Sequence, residues 1–486
     1  MANEPQSGTP GSTNSPLVVG LDVGTTSVKA LVVDEDGAVV SRSRLPSGLS
    51  IGPGGRFEHD AGRTWWEGPR AALSRAVTPL AGRGPSAVAV SAMMPSVAAV
   101  GPSGEPLGPG LLYGDKRAAH DEAEGGAQPE DGRDPTATGE MARLASWAAS
   151  QQPLARGFWP AQAVANASLG GEGVIDLASA FASGTLFNGS GWDAVSCAAA
   201  GLLPGHLPRV AMFGEAVGYV PAALAGPGPA GDVVLGAGSV DGMCEQLVSG
   251  AVNDGDVLVA LGSTLVVWLV VPGWPDEVAG LWRVPHIAAG KAMVGGASNA
   301  GGMWVDWADR VLRPAEEASR PWEIPIWWPW GRGERVPWHD PSLRVGLAGA
   351  DLSHSAADLR RAALEASGFV VRDIVERAAG TGVRPLRYIA SGGGSSRWDW
   401  LQAISEVLGS AVVPMAVPEG AALGAAFLAR ISAGLEAGTD DAVRWASWST
   451  ACEPRPEWAQ AAGERYRLWS EALPRRYLAG PPGMPA

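Results

Sequence analysis

GLDVGTTSVKALVVDEDG, residues 20–37, sets one carboxylate, Asp22, at the mouth of a glycine-threonine turn between two apolar runs. From Leu17 the pattern reads strand, glycine turn, strand, the Glu35-Asp36-Gly37 turn and a third Val-rich strand, a β-meander. The cadence returns at GDVLVALGSTLVVWLVV, residues 255–271, as a buried strand, a Gly-Ser-Thr turn and a second β-branched strand. Two copies of one supersecondary unit, each carrying a glycine and hydroxyls in its turn, predict two related α/β domains facing each other across a cleft.

Between the copies, Asp60 is placed to cap an amphipathic helix carrying Trp65 and Trp66, and SAVAVS (86–91) reads as a buried strand. After the second copy, a helix over 356–379 precedes the strand PLRYIA, which runs into SGGGSSRWDWLQAISEVLG. Ser395 or Ser396 is placed to cap the helix that follows, with Leu401, Ile404, Val407 and Leu408 as its apolar face and Gly409 as its stop. A strand, a glycine loop and a helix start together suit a nucleotide pocket.

At 486 residues the chain exceeds one ordinary core, and 46% hydrophobic against 18% charged residues supports folding throughout. Fifty acids against 36 bases give a net charge of −14 with no basic block, which argues against nucleic acid or an anionic membrane as partner. The longest apolar run, 257–271, is interrupted by Gly262-Ser263-Thr264 and falls short of a membrane span. Cys197, Cys244 and Cys452 are widely spaced without a CxxC, which fits a reducing cytoplasm. Residues 1–16 read as a disordered leader, 17–243 and 244–438 as the two domains, and 439–486 as a Trp-bearing helical tail. A Gly/Asp/Glu/Pro-rich loop falls within 110–139.

Each candidate site has a plainer alternative. Gly24, Thr25 and Thr26 offer N–H groups and hydroxyls to a phosphate oxygen, with Asp22 beside them for Mg²⁺; a hairpin with a hydrogen-bonded Asp gives the same string. Lys29 lies too far along its strand for a Walker lysine, and there is no P-loop or protein-kinase motif. Gly262, Ser263 and Thr264 gain meaning by pairing with the first turn. Asp241, after a Val-Val-Leu strand and a Gly-Ala-Gly turn, is either a helix cap or a base for a substrate hydroxyl. GRGERVPWHDP (331–341) sets Glu334, Arg335, His339 and Asp340 among Trp328, Trp330 and Trp338, which suits either a carbohydrate platform or a buried loop clamp.

In order along the chain, DVGTTSVKALVVD, GLLYGDKRA, GAGSVDG, LGSTLVVW, GGASNAGGMW, GRGERVPWHDPSLRVG, SGGGSSRWDWLQAISEVLG and PEGAALGAAFLA resemble the motifs of the FGGY carbohydrate kinases. These belong to the actin-like, ribonuclease H-like ATPase superfamily, and the resemblance runs from about Leu17 to Arg430, closest to the xylulose and ribulose kinases. It implies ATP and Mg²⁺, with Asp22 at the metal and Asp241 as catalytic base. Phosphate contact is implied for Gly24, Thr25, Thr26, Gly262, Ser263 and Thr264, and adenosine contact for Gly392, Gly393, Gly394 and Ser396, with Gln402 behind them. Lys29 and Gly301 join the nucleotide set; Met94, Asp115, Arg117 and Glu334 join Asp241 in the sugar set. The resemblance implies a ketopentose such as xylulose or ribulose as acceptor and allows a homodimer. A glycerol- or erythritol-like polyol kinase and a non-transferring actin-like ATP-binding regulator are the alternatives. Met93-Met94-Pro95-Ser96 stands where xylulose kinases read Gln-Met-His-Gly, so a sugar-binding His is missing. Gly242 replaces the Asn or Gln that commonly follows the base, and Gln162 stands where an Asp is usual.

Overall fold

The computed structural model describes residues 15–80, 82–117, 135–226, 228–229, 231–288, 290–313, 316–318 and 320–476. Most of the expected leader, and residues 118–134 of the expected acidic loop, lie outside that set.

The meander read from residues 17–46 forms as β1 (Val18–Val23), β2 (Ser27–Val33) and β3 (Val39–Pro46), joined antiparallel. β1 is buried on both faces, which accounts for its unbroken apolar run, whereas β3 alternates between half-buried and exposed residues. β4 (Ala87–Ala92) lies parallel to β1; beyond it come β5 (Ala216–Val220) and β6 (Val233–Val240), giving the order β5-β6-β4-β1-β2-β3. α1 (Gly68–Val77) packs on this sheet, entered through a π-helical turn, Gly62–Glu67, whose start is tied down by Asp60 Oδ1 accepting from Arg63 N.

The second sheet repeats the first. β7 (Asp256–Leu261) and β8 (Leu265–Pro272) form the hairpin, β9 (Trp282–Pro285) and β10 (Lys291–Ser298) extend it antiparallel, and β11 (Arg387–Ser391) and β12 (Val412–Pro414) add parallel strands beside β7. The order β10-β8-β7-β11-β12 matches β3-β2-β1-β4-β6, so the repeat seen in sequence is a repeat of topology.

Two helices join the domains. α2 (Asp241–Ser249) leaves the first sheet at the end of β6. The second domain contains α3 (Gly302–Leu312), α4 (Ala356–Ala378) and α5 (Trp398–Leu408), then returns α6 (Gly420–Ser432) to the first sheet. α6 is Gly- and Ala-rich because its backbone touches its neighbours. A Cβ on Gly20 of β1 would lie 1.8 Å from the Ala422 carbonyl oxygen, and one on Gly424 would lie 1.9 Å from that of Cys244 in α2. One buried core spans the junction, with Val18, Leu31 and Ala89 from the first sheet and Leu258, Val270 and Ile389 from the second.

The tail helix, α7 (Pro456–Arg476), docks on the second domain through Tyr466 and Trp469 against Phe369. Buried Glu365 accepts from Arg361 and Arg465, and buried Glu406 from Arg361 and Arg455, so each carboxylate is paired by two guanidinium groups. α5 begins at Trp398 and stops at Gly409 in the left-handed region, as expected, but neither serine caps it. Ser395 and Ser396 turn their hydroxyls back onto the carbonyls of Gly392 (2.7 Å) and Gly393 (2.8 Å), closing a 3-10 turn, and Arg397 stands at the cap position.

Candidate active site

The β1–β2 register sets Asp22 opposite Lys29, and the side chains form an ion pair of 2.8 Å. Asp22 is buried, and its charge holds the Lys29 ammonium above its ordinary pKa. The turn between them is locked from behind. Thr25's carbonyl accepts from Ser47 Oγ (2.6 Å) and His59 Nε2 (2.7 Å), and Thr26's carbonyl accepts from Ser47 N (3.1 Å). Trp65 Nε1 donates to His59 Nδ1 at 3.0 Å, which fixes the Nε2–H tautomer, and burial lowers the His59 pKa. Thr25 turns its hydroxyl inward; Thr26 is exposed.

The second turn is braced differently. The first N–H groups of α3 bond its carbonyls, Gly302 N to Gly262 O (2.9 Å) and Met303 N to Ser263 O (3.0 Å). A Cβ on Gly301 would lie 2.1 Å from the Thr264 carbonyl carbon, so Gly301 buttresses this turn from behind. Gly392 (φ +78°) and Gly394 press on the same hairpin, each with a would-be Cβ 2.8 Å from Leu261 O, while Gly393 faces open space. The expected adenosine loop and second turn are therefore one continuous surface, with Ser396 exposed on it.

Tyr113 links the two turns across the cleft. Its hydroxyl lies 3.0 Å from Thr25 Oγ1 and 3.3 Å from Ser263 Oγ. Two further contacts join the walls, Arg332 Nη2 to Gly114 O (3.1 Å) and Lys116 Nζ to Pro341 O (3.5 Å).

Asp241 opens α2 at the end of β6, its Oδ1 accepting from Gly242 N at 2.8 Å. Burial, and next the charge of Asp22, push its carboxyl up to about 7, with Lys29 and Arg335 pulling the other way. One helical turn on, Glu245 is pushed up to about 8 by burial and by Asp241, and it accepts from Ser391 Oγ at 3.1 Å. Asp22, Lys29, Glu245 and Arg335 thus share their electrostatic field with Asp241. A carboxylate that titrates near neutrality beside paired hydroxyl turns is equipped to take a proton from an alcohol.

Residues 17–124 match the N-terminal domain of the FGGY family of carbohydrate kinases, and residues 276–433 match its C-terminal domain. A xylulose kinase of Streptomyces coelicolor is 30% identical over 469 residues, which covers 90% of this chain and 92% of that protein. The chain belongs to the FGGY family of carbohydrate kinases. This FGGY kinase is also similar to a gluconokinase of Bacillus subtilis, 24% identical with 86% of this chain and 88% of that protein covered. The crystal structure of a Brucella ovis xylulose kinase shares its fold with a TM-score of 0.77 at 24% identity, covering 94% of this chain and 99% of that one. The kinase therefore has the two-domain actin-like architecture and is a phosphotransferase acting on carbohydrate with ATP.

Several residues expected at the kinase's site are committed elsewhere. Gln402 donates to Glu406 Oε1 (2.9 Å) and to the Glu453 carbonyl (2.8 Å), so its amide serves tail docking and is turned away from the glycine loop. Glu334 is a loop clamp: its oxygens accept from Ser298 Oγ (2.7 Å), Asn299 N (2.8 Å) and Arg335 N (2.7 Å), and burial raises its pKa to about 7. Trp328 and Trp330 are buried, the latter against Trp469, so they build core instead of a sugar platform. Asp115 accepts from Phe57 N (2.9 Å) and Arg117 Nε (3.0 Å), and Arg117 also pairs with Glu58, which makes a closed network in the wall beside Tyr113. Met94 is half-buried against the cluster of Val97, Met141 and Phe158. Gln162, in place of the usual Asp, bonds the Ala237 carbonyl (2.8 Å) and Ser179 Oγ (2.6 Å). Sequence reasoning missed Ser47, His59, Tyr113 and Glu245. Only Glu245, four residues after Asp241 on a helix, carried a local signal.

Proposed function

We propose that this kinase transfers the γ-phosphate of ATP to a primary hydroxyl of a ketopentose such as xylulose or ribulose, with Asp241 as general base. The observation that carries the reading is Asp241 at the start of α2, within electrostatic reach of Asp22, Lys29 and Arg335, with its carboxyl raised to about 7. Similarity to a xylulose kinase over nine-tenths of the chain supports the acceptor class.

Asp241 accepts the hydroxyl proton as the acceptor oxygen attacks phosphorus, and ADP departs with the electron pair of the broken P–O bond. The first turn, Gly24 to Thr26, and the second, Gly262 to Thr264, hold phosphate oxygens through N–H groups and hydroxyls, and the 392–396 loop receives the adenosine. Lys29 orients the buried Asp22 through their 2.8 Å ion pair. A single buried carboxylate with a second acid nearby is the donor set Mg²⁺ prefers when phosphate and water complete its shell; Asp22 would hold the ion, which would neutralise phosphate charge. Contacts of Tyr113, Arg332 and Lys116 across the cleft draw the walls together and exclude water that would otherwise hydrolyse ATP. The three cysteines are buried free thiols, in keeping with a reducing cytoplasm; among the described residues no helix is long and apolar enough to cross a membrane.

The test is acceptor-dependent ADP release over a panel of pentuloses, hexuloses, aldonates and polyols. Xylulose or ribulose is expected to stimulate release most. Stimulation by none would remove the transfer reading, and a clear preference for gluconate or glycerol would replace the acceptor.

A further inference from the structure

Among the described residues, the cations already placed at the cleft have partners, and Arg335 differs from them. Lys29 is paired with Asp22, Arg117 with Asp115 and Glu58, and Arg332 bonds the Gly114 carbonyl. Arg335 Nε and Nη2 are shielded from solvent and donate to no acceptor. The guanidinium lies over the ring of Tyr113, 5.1 Å from its centroid.

The residue is held firmly at its backbone: its N–H donates to Glu334 Oε1 at 2.7 Å, and its carbonyl accepts from His339 N. Glu334 is in turn fixed by Ser298 and Asn299. The clamp that takes Glu334 out of the substrate set therefore fixes its neighbour over Tyr113. Burying unpaired guanidinium N–H groups is costly unless an acceptor arrives with a ligand. The guanidinium lies over the same Tyr113 ring whose hydroxyl touches Thr25 and Ser263, and Asp241 lies within its electrostatic reach. The group that must pass between base and turns is the transferring phosphoryl.

We propose that Arg335 is a catalytic residue of this kinase that donates its free N–H groups to the oxygens of the transferring γ-phosphoryl group, delivered to it by the clamped 331–341 loop of the second domain. The proposal rests on the assignment of Asp241 and the two turns given above. In the step, the acceptor oxygen bonds to phosphorus, its proton goes to Asp241, and the bond to the ADP oxygen breaks with its electrons leaving on ADP. Arg335 exchanges no proton and stabilises charge on the oxygens in flight.

The test compares MgADP binding with and without beryllium fluoride, a γ-phosphoryl mimic, by calorimetry in the wild type, Arg335→Ala and Arg335→Lys, and needs no acceptor. Arg335→Ala is expected to keep MgADP affinity and lose about 10- to 100-fold of the gain from beryllium fluoride. Arg335→Lys should fall between, because it keeps charge without the planar fork. With the preferred acceptor, kcat should drop about 100-fold or more at little change in the KM for ATP, and millimolar guanidinium should restore part of it in the Ala variant. The ligand-free melting temperature should hold or rise, since an unpaired buried charge is removed. An undiminished fluoride gain, equal losses for MgADP with and without fluoride, or a lowered melting temperature with no guanidinium rescue would each overturn the proposal. So would a loss confined to D-gluconate binding, which would assign the guanidinium to an acceptor carboxylate. Intact turnover in Asp241→Asn would instead remove the site assignment, and the role of Arg335 with it.

Discussion

Tyr113→Phe removes one oxygen and leaves the ring beneath Arg335 in place, so it isolates the hydroxyl that joins the two turns. Two hydrogen bonds are lost, and they differ in kind. The bond to Thr25 Oγ1 (3.0 Å) lies within the first domain; the one to Ser263 Oγ (3.3 Å) exists only while the cleft is closed. A neutral hydrogen bond contributes about 1 kcal/mol net, so losing the cross-cleft bond should lower the closed-to-open ratio about fivefold. Loss of the Thr25 bond strands a buried hydroxyl at a cost of about 1 to 3 kcal/mol, which lowers the stability of the first domain whether or not the cleft is closed. The expected signature is a kcat/KM reduced about fivefold, a melting temperature lower by a few degrees, and an unaltered pH profile, since the phenol does no proton transfer. Steady-state ADP release together with small-angle scattering of the nucleotide-bound protein would measure it. A kcat/KM within twofold of wild type and an unchanged radius of gyration would refute the latch, and a loss beyond a hundredfold would make Tyr113 part of the chemistry.

Three further predictions concern Asp241, Glu245 and the crossing of α2 with α6. With the Asp241 carboxyl raised to about 7, the basic form is depleted below neutrality, so kcat/KM should fall about tenfold per pH unit on the acid side. A profile flat from pH 8 to 5 would exclude Asp241 as the group that titrates. Because Glu245 lies one turn on and is also raised, the observed values belong to the pair, and Glu245→Gln should leave a single step. Gly424→Val drives a branched side chain into the Cys244 carbonyl at the crossing of α2 and α6, where only backbone could yield. It should destabilise the protein by about 1 to 3 kcal/mol or more, read as a lowered melting temperature; a wild-type value would show the helices to be loosely packed.

The repeat was legible because each copy is a pair of short apolar strands around a glycine-hydroxyl turn, a pattern that needs no distant partner. The order of the motifs added the family. The support of the site was not legible, because it comes from residues far apart in the chain: His59 reaches back 34 positions to Thr25, and Tyr113 reaches 150 forward to Ser263. Glu334 and Gln402 show the converse. Their sequence neighbourhoods suit a site, but Ser298, Asn299 and the Glu453 carbonyl, brought in by tertiary packing, had already taken their hydrogen-bonding capacity. The serines of the glycine loop failed as caps for a similar reason, since their own turn offered nearer carbonyls.

The central claim is that Asp241 removes the acceptor proton, and the most direct measurement is acceptor-dependent ADP release by Asp241→Asn beside its MgATP affinity. A loss of about 10² to 10⁴ in kcat with ATP binding within a few-fold of wild type is the predicted result. Turnover near the wild-type rate would contradict it.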